Sequence, residues 1–150
     1  MHKHLQKAEK LARSHKFDDG LEYFLCALIV KGGEILSTGF NKKSTNAFVE
    51  HFADKARAAR DYCMSTHAEQ DAVLRARGKI NLRGAKIFVA RVKASGGLGM
   101  ARPCSICYGV LQSYGIGRAH YSIDDQYYGI LQINKKPLVK QLDKIVSMRL

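Results

Sequence analysis

The chain has no tryptophan, only two prolines among its 150 residues, and four cysteines. It is also poor in acidic residues, since 13 aspartates and glutamates stand against 25 lysines and arginines. So few prolines beside a hydrophobic fraction of 46% exclude a disordered, low-complexity chain. At this length we expect one domain, residues 1–150, that is large enough to bury a core of its own.

The sequence also lacks a long hydrophobic run. No apolar stretch approaches the roughly 18 uninterrupted residues that a membrane-spanning helix needs. The N-terminus, Met1-His2-Lys3-His4, leads into a charged amphipathic segment and not into a signal peptide. We therefore expect a cytoplasmic protein that has no membrane partner.

The excess of basic residues gives a net charge of +12, which favours a polyanionic partner such as nucleic acid. The lysines and arginines are nevertheless spread through every segment, and scattered charge is typical of a solvated surface. No basic run is interleaved with aromatic residues in the way that predicts a groove for a single strand. The charge alone therefore leaves both a small anionic molecule and a polynucleotide open.

Two short motifs bring together metal-ligating side chains. His-Ala-Glu occupies residues 67–69, and Pro-Cys-Ser-Ile-Cys occupies residues 103–107. His67, Cys104 and Cys107 can fill three corners of a zinc tetrahedron and leave the fourth open for water, as in catalytic zinc sites. Bound zinc lowers the pKa of such a water to about 7. The motifs therefore predict a Zn2+ cofactor and hydrolytic attack on an electrophilic carbon.

The residues around the ligands suit this chemistry. Glu69 is close enough to His67 to handle the protons of the water without binding the metal. Pro103 is typical of the first position of a helix, which would place Cys104 and Cys107 on one face of the first turn. The positive end of a helix favours thiolates, and only thiolates ligate zinc.

Two other interpretations of the cysteines remain open. The pair alone is also the pattern of a redox site, which would leave His67 and Glu69 without a role. A closed structural zinc site would need a fourth ligand, for which the candidates are Cys26, His51, Cys63 and His120. We expect Cys63 to be an ordinary loop thiol and Cys26 to be a buried core residue.

Hydrophobic periodicity predicts alternating helices and strands. The expected helices cover residues 3–15, 67–77, 103–114 and 137–149, and the expected strands cover 23–30, 35–40, 86–92, 117–123 and 128–133. Residues 93–100 are predicted to be a loop, and residues 42–66 a long polar connection with a helical part around 48–60. This order suits a mixed sheet flanked by helices.

With these motifs the chain resembles the cytidine deaminase superfamily, whose signature is H-x-E followed by P-C-x-x-C. The resemblance runs from about Tyr23 to Leu131 and includes Gly-Phe-Asn at residues 39–41. It implies an α/β fold, a three-layer α/β/α sandwich with a mixed sheet of about five strands, in which two helices bring His67 to the cysteines. The small deoxycytidylate-deaminase-like proteins of phages are the most similar subfamily, and a phage-encoded protein would act in the host cytoplasm.

The resemblance implies a zinc-dependent hydrolytic deaminase that converts cytosine to uracil and releases ammonia, with Glu69 shuttling protons. The leading substrate is a free deoxycytidine or cytidine monophosphate. One alternative is cytosine within single-stranded DNA or RNA, and another is a nucleic-acid-binding module without catalysis. Relatives often assemble, so a homo-oligomer is also open. The apolar stripe of the expected C-terminal helix would then cover either the sheet or a second copy.

The resemblance also implies contacts with the substrate. Asn41 corresponds to an asparagine that meets the sugar, and the backbone of Ala68 to the amide that meets the base carbonyl. Arg102 differs from the Ser, Thr or Glu of several relatives and is either a phosphate contact or solvated. Further phosphate candidates are Lys42, Lys43, Arg57 and Arg60. Tyr121 and Tyr128 are candidates to stack on a base, although packing in the core or at an edge is expected for each.

Overall fold

The computed structural model describes residues 2–15, 21–43, 65–134 and 136–148. Within these ranges the helices are α1 (Lys3–Arg13), α2 (Ala68–Ala76) and α3 (Ser105–Ser113). The strands are β1 (Tyr23–Lys31), β2 (Glu34–Phe40), β3 (Lys86–Lys93), β4 (Leu98–Gly99), β5 (Arg118–Ser122), β6 (Tyr127–Gln132) and β7 (Lys144–Ser147). No helix in the described part of the chain is long and apolar enough to cross a membrane.

The strands form one mixed sheet in the order β2-β1-β3-β5-β6-β7, with β4 paired to β3. Strands β3 and β5 run parallel, and the other pairs are antiparallel. Parallel neighbours need a crossover connection, which here contains α3. The expected mixed sheet is confirmed. In the described part of the chain it has seven strands instead of about five, because β4 and β7 were not predicted.

The alternation of side chains along the strands gives the sheet two buried faces. One face packs against α2 and α3 and includes Ala27, Ile29, Ile87 and Val89. The other face packs against α1 and includes Cys26, Leu28, Phe88 and Ala90. The three-layer α/β/α arrangement is therefore confirmed, and Cys26 is a core residue as expected.

Helix α2 lies unusually close to β2. Gly39 has no side chain, and a Cβ at this position would lie 2.8 Å from Ala72 Cα and closer still to Ala72 N and Ala68 O. The Ser37 hydroxyl donates to Ala72 O (2.7 Å), and Asp71 accepts from Phe40 N (3.0 Å). These contacts fix the first turn of α2, which carries part of the candidate site.

The predicted C-terminal helix is wrong. Residues 137–148 instead contain a 3-10 turn, Leu138–Lys140, followed by β7, which pairs antiparallel with β6. Leu142 is 95% exposed and Ile145 54% exposed, so the expected apolar stripe does not cover the sheet. The edge of β6 offers backbone hydrogen bonds to this segment, and that pairing competes with the helical spacing of its apolar residues.

Two smaller expectations need correction. Residues 93–100 are not simply a loop, because β4 pairs with Arg91 and Val92 of β3. Helix α3 begins at Ser105, with Cys104 in extended geometry as its N-cap, so Pro103 lies outside the helix. The expected helical part around 48–60 lies outside the described residues, as do the candidates His51, Arg57, Arg60 and Cys63.

Candidate active site

Three ligand-type side chains meet where α2 and α3 begin. His67 is the N-cap of α2, Cys104 is the N-cap of α3, and Cys107 lies on the first turn of α3. His67 Nδ1 is 3.6 Å from Cys104 Sγ and 3.3 Å from Cys107 Sγ. The structure therefore brings together the three residues that the motifs predicted.

The spacing of these atoms fits tetrahedral zinc. Bonds of about 2.3 Å to sulfur and 2.0–2.1 Å to nitrogen place neighbouring N and S ligands roughly 3.6 Å apart. Across the described ranges, no other His, Cys, Asp or Glu joins the cluster. Cys26 and His120 belong to the opposite face of the sheet, against α1. A set of three donors fits a catalytic zinc site, which keeps one position open.

The electrostatics of the cluster favour a bound cation. The hydrogen bond from the Cys107 thiol and the interactions with His67 together lower the pKa of Cys104 to about 4 against the effect of burial. Burial raises the pKa of Cys107. Burial lowers the pKa of His67, but the hydrogen bond to Cys104 and the charge of Glu69 outweigh this and raise it. The pair thus already holds one thiolate at neutral pH, and a metal ion would stabilise the second.

Glu69 lies on the first turn of α2 and is 3% exposed. Burial raises the pKa of its carboxyl to about 7. Its Oε2 is buried and has no hydrogen-bond partner within the described residues. Gln70 holds this turn in place, because its Oε1 accepts from His67 N (2.7 Å). A carboxyl with a pKa near neutrality can both accept and return a proton.

A cavity of about 360 Å³ opens beside these residues, with His67, Glu69 and Cys104 in its wall. This volume is within the usual range for small-molecule sites. Its wall also carries basic side chains, namely Lys42, Lys43, Arg91 and Arg102. The cavity thus combines a metal-type donor set, a proton-transfer group and positive charge.

Asn41 and Ala68 both line the cavity, as the resemblance implied. The Asn41 side chain is tied to β1, since its Oδ1 accepts from Leu25 N (2.8 Å) and its Nδ2 donates to Tyr23 O (3.1 Å). Ala68 is the first residue of α2, where a backbone N–H has no acceptor within the helix. Their contact with a substrate stays a prediction.

The predicted phosphate contacts Arg102 and Lys42 line the cavity but are bonded to carboxylates. Arg102 forms a double ion pair with Asp143, Nε to Oδ2 (2.8 Å) and Nη2 to Oδ1 (2.9 Å). Lys42 Nζ is 3.0 Å from Asp71 Oδ1. Tyr121 is buried in the core and donates to Asp143. The positive charges of Arg102 and Lys42 are therefore partly neutralised by carboxylates of the protein.

Two cavity residues, Arg91 and Tyr23, were not singled out from the sequence. Arg91 follows the apolar Ile87 and Val89 on the face of β3 that points to α2 and α3. Its guanidinium carbon lies 4.2 Å from the centre of the Tyr23 ring. The sequence did contain a signal for Arg91, namely a basic residue at an inward-facing position of a predicted strand.

Comparisons with known proteins agree with this site. Residues 1–123 match the family described as the cytidine and deoxycytidylate deaminase zinc-binding region. No match was found among curated proteins. The fold is similar to crystal structures of dCMP deaminase from the cyanophage S-TIM5. The complex with dCMP and dUMP is 21% identical, covers 79% of this chain and 76% of that chain, and has a TM-score of 0.51. The apo form is 18% identical, covers 82% and 86%, and has a TM-score of 0.50.

The match covers most of the chain, and the structural similarity establishes the shared fold. The chain therefore belongs to the cytidine and deoxycytidylate deaminase family. It is a zinc-dependent deaminase, and Zn2+ is its cofactor.

Proposed function

We propose that this protein, acting as one domain over residues 1–150, deaminates the cytosine of a free deoxycytidine or cytidine monophosphate. The observation that carries this proposal is the cavity of about 360 Å³ whose wall includes the buried Glu69 and two of the three metal-type donors, His67 and Cys104. A cavity of this size suits a monomeric substrate. The basic side chains in its wall suit a substrate that carries a phosphate.

His67, Cys104 and Cys107 would hold the zinc ion, because their donor atoms all lie within 4.8 Å of one another. Bound zinc makes a water molecule ionise near neutral pH and so supplies the nucleophile. Side chains and backbone groups of the cavity wall would transfer the protons and bind the substrate.

Glu69 is proposed to move the protons. It takes one proton from the attacking water, whose oxygen bonds to C4 of the cytosine ring, and gives this proton to N3. It then passes the second proton to the exocyclic amine, the C4–N bond breaks, and ammonia leaves with uracil as the product. The raised pKa of the buried carboxyl, about 7, suits a group that both accepts and donates at neutral pH.

The substrate contacts are proposed as follows. The backbone N–H of Ala68, at the positive end of α2, donates to the carbonyl oxygen of the base. Asn41 forms the wall beside the sugar. Arg102 uses Nε and one N–H of Nη2 for Asp143, which leaves Nη1 and the second N–H of Nη2 as the donors that it can offer.

The net charge of +12 favours a second candidate substrate, cytosine within single-stranded DNA or RNA. Binding to a strand would use many phosphates and would weaken steeply as salt is added. A non-catalytic nucleic-acid-binding module is less well supported, because such a module has no use for the buried carboxyl of Glu69.

A competition assay tests the proposal. The zinc-loaded protein is mixed with dCMP, CMP, deoxycytidine and a cytosine-containing single strand at equal cytosine concentrations, and the uracil products are quantified. We expect a monophosphate to be consumed first. Preferential deamination of the strand, at a rate that falls steeply with salt, would establish the second candidate instead.

A further inference from the structure

The basic residues of the cavity wall differ in whether other groups of the protein already interact with them. Lys42 pairs with Asp71, Arg102 pairs with Asp143, and Lys43 also has an interaction partner. Within the described part of the chain, Arg91 forms no ion pair. No carboxylate among the described residues therefore neutralises the charge of Arg91, and an anionic ligand in the cavity can pair with it.

The guanidinium of Arg91 also has unused hydrogen-bonding capacity. Its Nε is buried without a hydrogen-bond partner among the described residues. Its Nη1 reaches Met100 O at 3.4 Å, which is long for a hydrogen bond. A buried donor that lacks a partner is unfavourable, and more so when it is charged. Because Arg91 lines the cavity, an anionic group there would pair with the guanidinium charge through the Nη donors.

Strand pairing holds this guanidinium in place. Arg91 pairs with Leu25 across the β1–β3 ladder, so Tyr23, two residues along β1, is its diagonal neighbour on the same face. The guanidinium packs over the Tyr23 ring at 4.2 Å. Arg91 N donates to Ser122 Oγ (3.0 Å), which anchors the backbone at this point. The planar group is therefore oriented before any ligand binds.

We propose that Arg91, held against Tyr23, binds the phosphate of the substrate and makes the enzyme prefer a nucleotide to the matching nucleoside. This inference rests on the proposed function. A guanidinium matches two phosphate oxygens at once through parallel N–H donors, which a lysine does not.

The test compares two substrates that differ only in the phosphate. For each variant, kcat/KM is measured with dCMP and with deoxycytidine, and the ratio of the two is the readout. In Arg91→Gln this ratio falls by about 10- to 100-fold, the usual effect of losing a charged hydrogen bond. Arg91→Lys keeps the charge but loses the planar fork, so its ratio falls less.

Arg83→Gln is the matched control, because it removes the same charge at an exposed position outside the cavity wall. Its ratio stays at the wild-type value. Tyr23→Leu removes the ring but keeps Arg91, and we expect its ratio to fall by about 3- to 10-fold. This second variant keeps the test decisive if Arg91→Gln does not fold.

The outcomes separate this inference from the proposed function. If the wild-type protein deaminates dCMP but the ratio is unchanged in Arg91→Gln or Tyr23→Leu, the inference is overturned and the function stands. An equal loss with both substrates also overturns it, because Arg91 would then be needed for the structure alone. If the zinc-loaded wild-type protein deaminates neither monomer, the proposed function fails before any variant is compared.

Discussion

At the scale of single residues, a substitution of Glu69 tests proton transfer separately from metal binding. Glu69 lies outside the cluster of three donors, so the change Glu69→Gln keeps the shape of the site but removes the proton acceptor. We expect the rate of ammonia release to fall by about 10²- to 10⁴-fold, the usual contribution of general acid–base catalysis. The zinc content, measured by atomic absorption, should match that of the wild type.

Glu34→Gln is the control for this prediction, because Glu34 is exposed at the start of β2 and lies outside the cavity wall. It should deaminate at the wild-type rate. A near-normal rate in Glu69→Gln would remove Glu69 from its proposed role, and loss of zinc from that variant would make Glu69 a ligand.

The sequence predicted the donors of the site but not all of its wall. His67, Cys104 and Cys107 are recognisable because their residue types and spacing already specify the metal chemistry. The significance of Arg91 depends on the pairing of β1 with β3, which brings it next to Tyr23 from 68 positions away in the chain. The partner of Arg102, Asp143, lies 41 positions away, and spacing along the chain cannot reveal such contacts.

At the scale of secondary structure elements, Gly39 sets how closely α2 approaches β2. A methyl group at this position would overlap the backbone of Ala68 and Ala72, which cannot move as a flexible side chain can. We expect Gly39→Ala to lower the stability by about 1–3 kcal/mol or more, the usual cost of overpacking. For a chain of this length that is a drop of roughly 2–12 °C in Tm, which calorimetry measures. Zinc affinity should fall too, because α2 carries His67.

Gly109→Ala is the matched control for this prediction. Gly109 lies inside α3, and a Cβ there would meet no atom within 4 Å. Alanine favours a helix interior over glycine by about 1 kcal/mol, so this variant should be as stable as the wild type or slightly more stable. Equal Tm values for Gly39→Ala and the wild type would show that the close approach of α2 and β2 is not needed.

Most helices and strands were predictable because the periodicity of apolar residues reflects which side chains are buried. The C-terminal segment is the case in which this periodicity predicted the wrong element. Apolar residues at 138, 142, 145 and 146 fit one face of a helix, yet the chain pairs with β6. Asp143 also binds Arg102 and accepts from Tyr121, which holds the segment near the cavity. Gly129 makes room for the Tyr121 ring, since a Cβ there would overlap it. These tertiary contacts outweigh local helical preference.

At the scale of the whole molecule, the two faces of the sheet have different tasks. The face with α2 and α3 carries the donors, Glu69 and the cavity. Among the described residues, the face with α1 carries no part of that cavity wall, and its core contains histidine rings packed around Phe88. The acid sensitivity of the fold can therefore be studied on the α1 side without altering the residues of the candidate active site.

His120 gives the molecule a predicted acid sensitivity. It is 5% exposed, stacks on Phe88 at 4.6 Å, and neither ring nitrogen has a hydrogen-bond partner among the described residues. Burial lowers its pKa from 6.5 to about 4, and the nearby positive charges of His2, Arg118 and Lys86 add to the shift. Between these two pH values the unfolded chain binds a proton that the folded chain does not. The free energy of unfolding therefore falls as the pH drops from 6.5 towards 4, by at most about 1.4 kcal/mol per pH unit.

The change His120→Phe tests this, because phenylalanine keeps an aromatic ring beside Phe88 but cannot take up a proton. Urea unfolding of both proteins at pH 7.5, 6.0 and 5.0 gives the difference between their free energies of unfolding at each pH. Titration of His67 and the cysteines is common to both proteins and cancels in this difference. We expect the wild type to lose stability relative to His120→Phe from pH 7.5 to 6.0 and again from 6.0 to 5.0, since only the wild type has an imidazole at this position that takes up a proton on unfolding. A difference that stays constant from pH 7.5 to 5.0 would contradict the prediction.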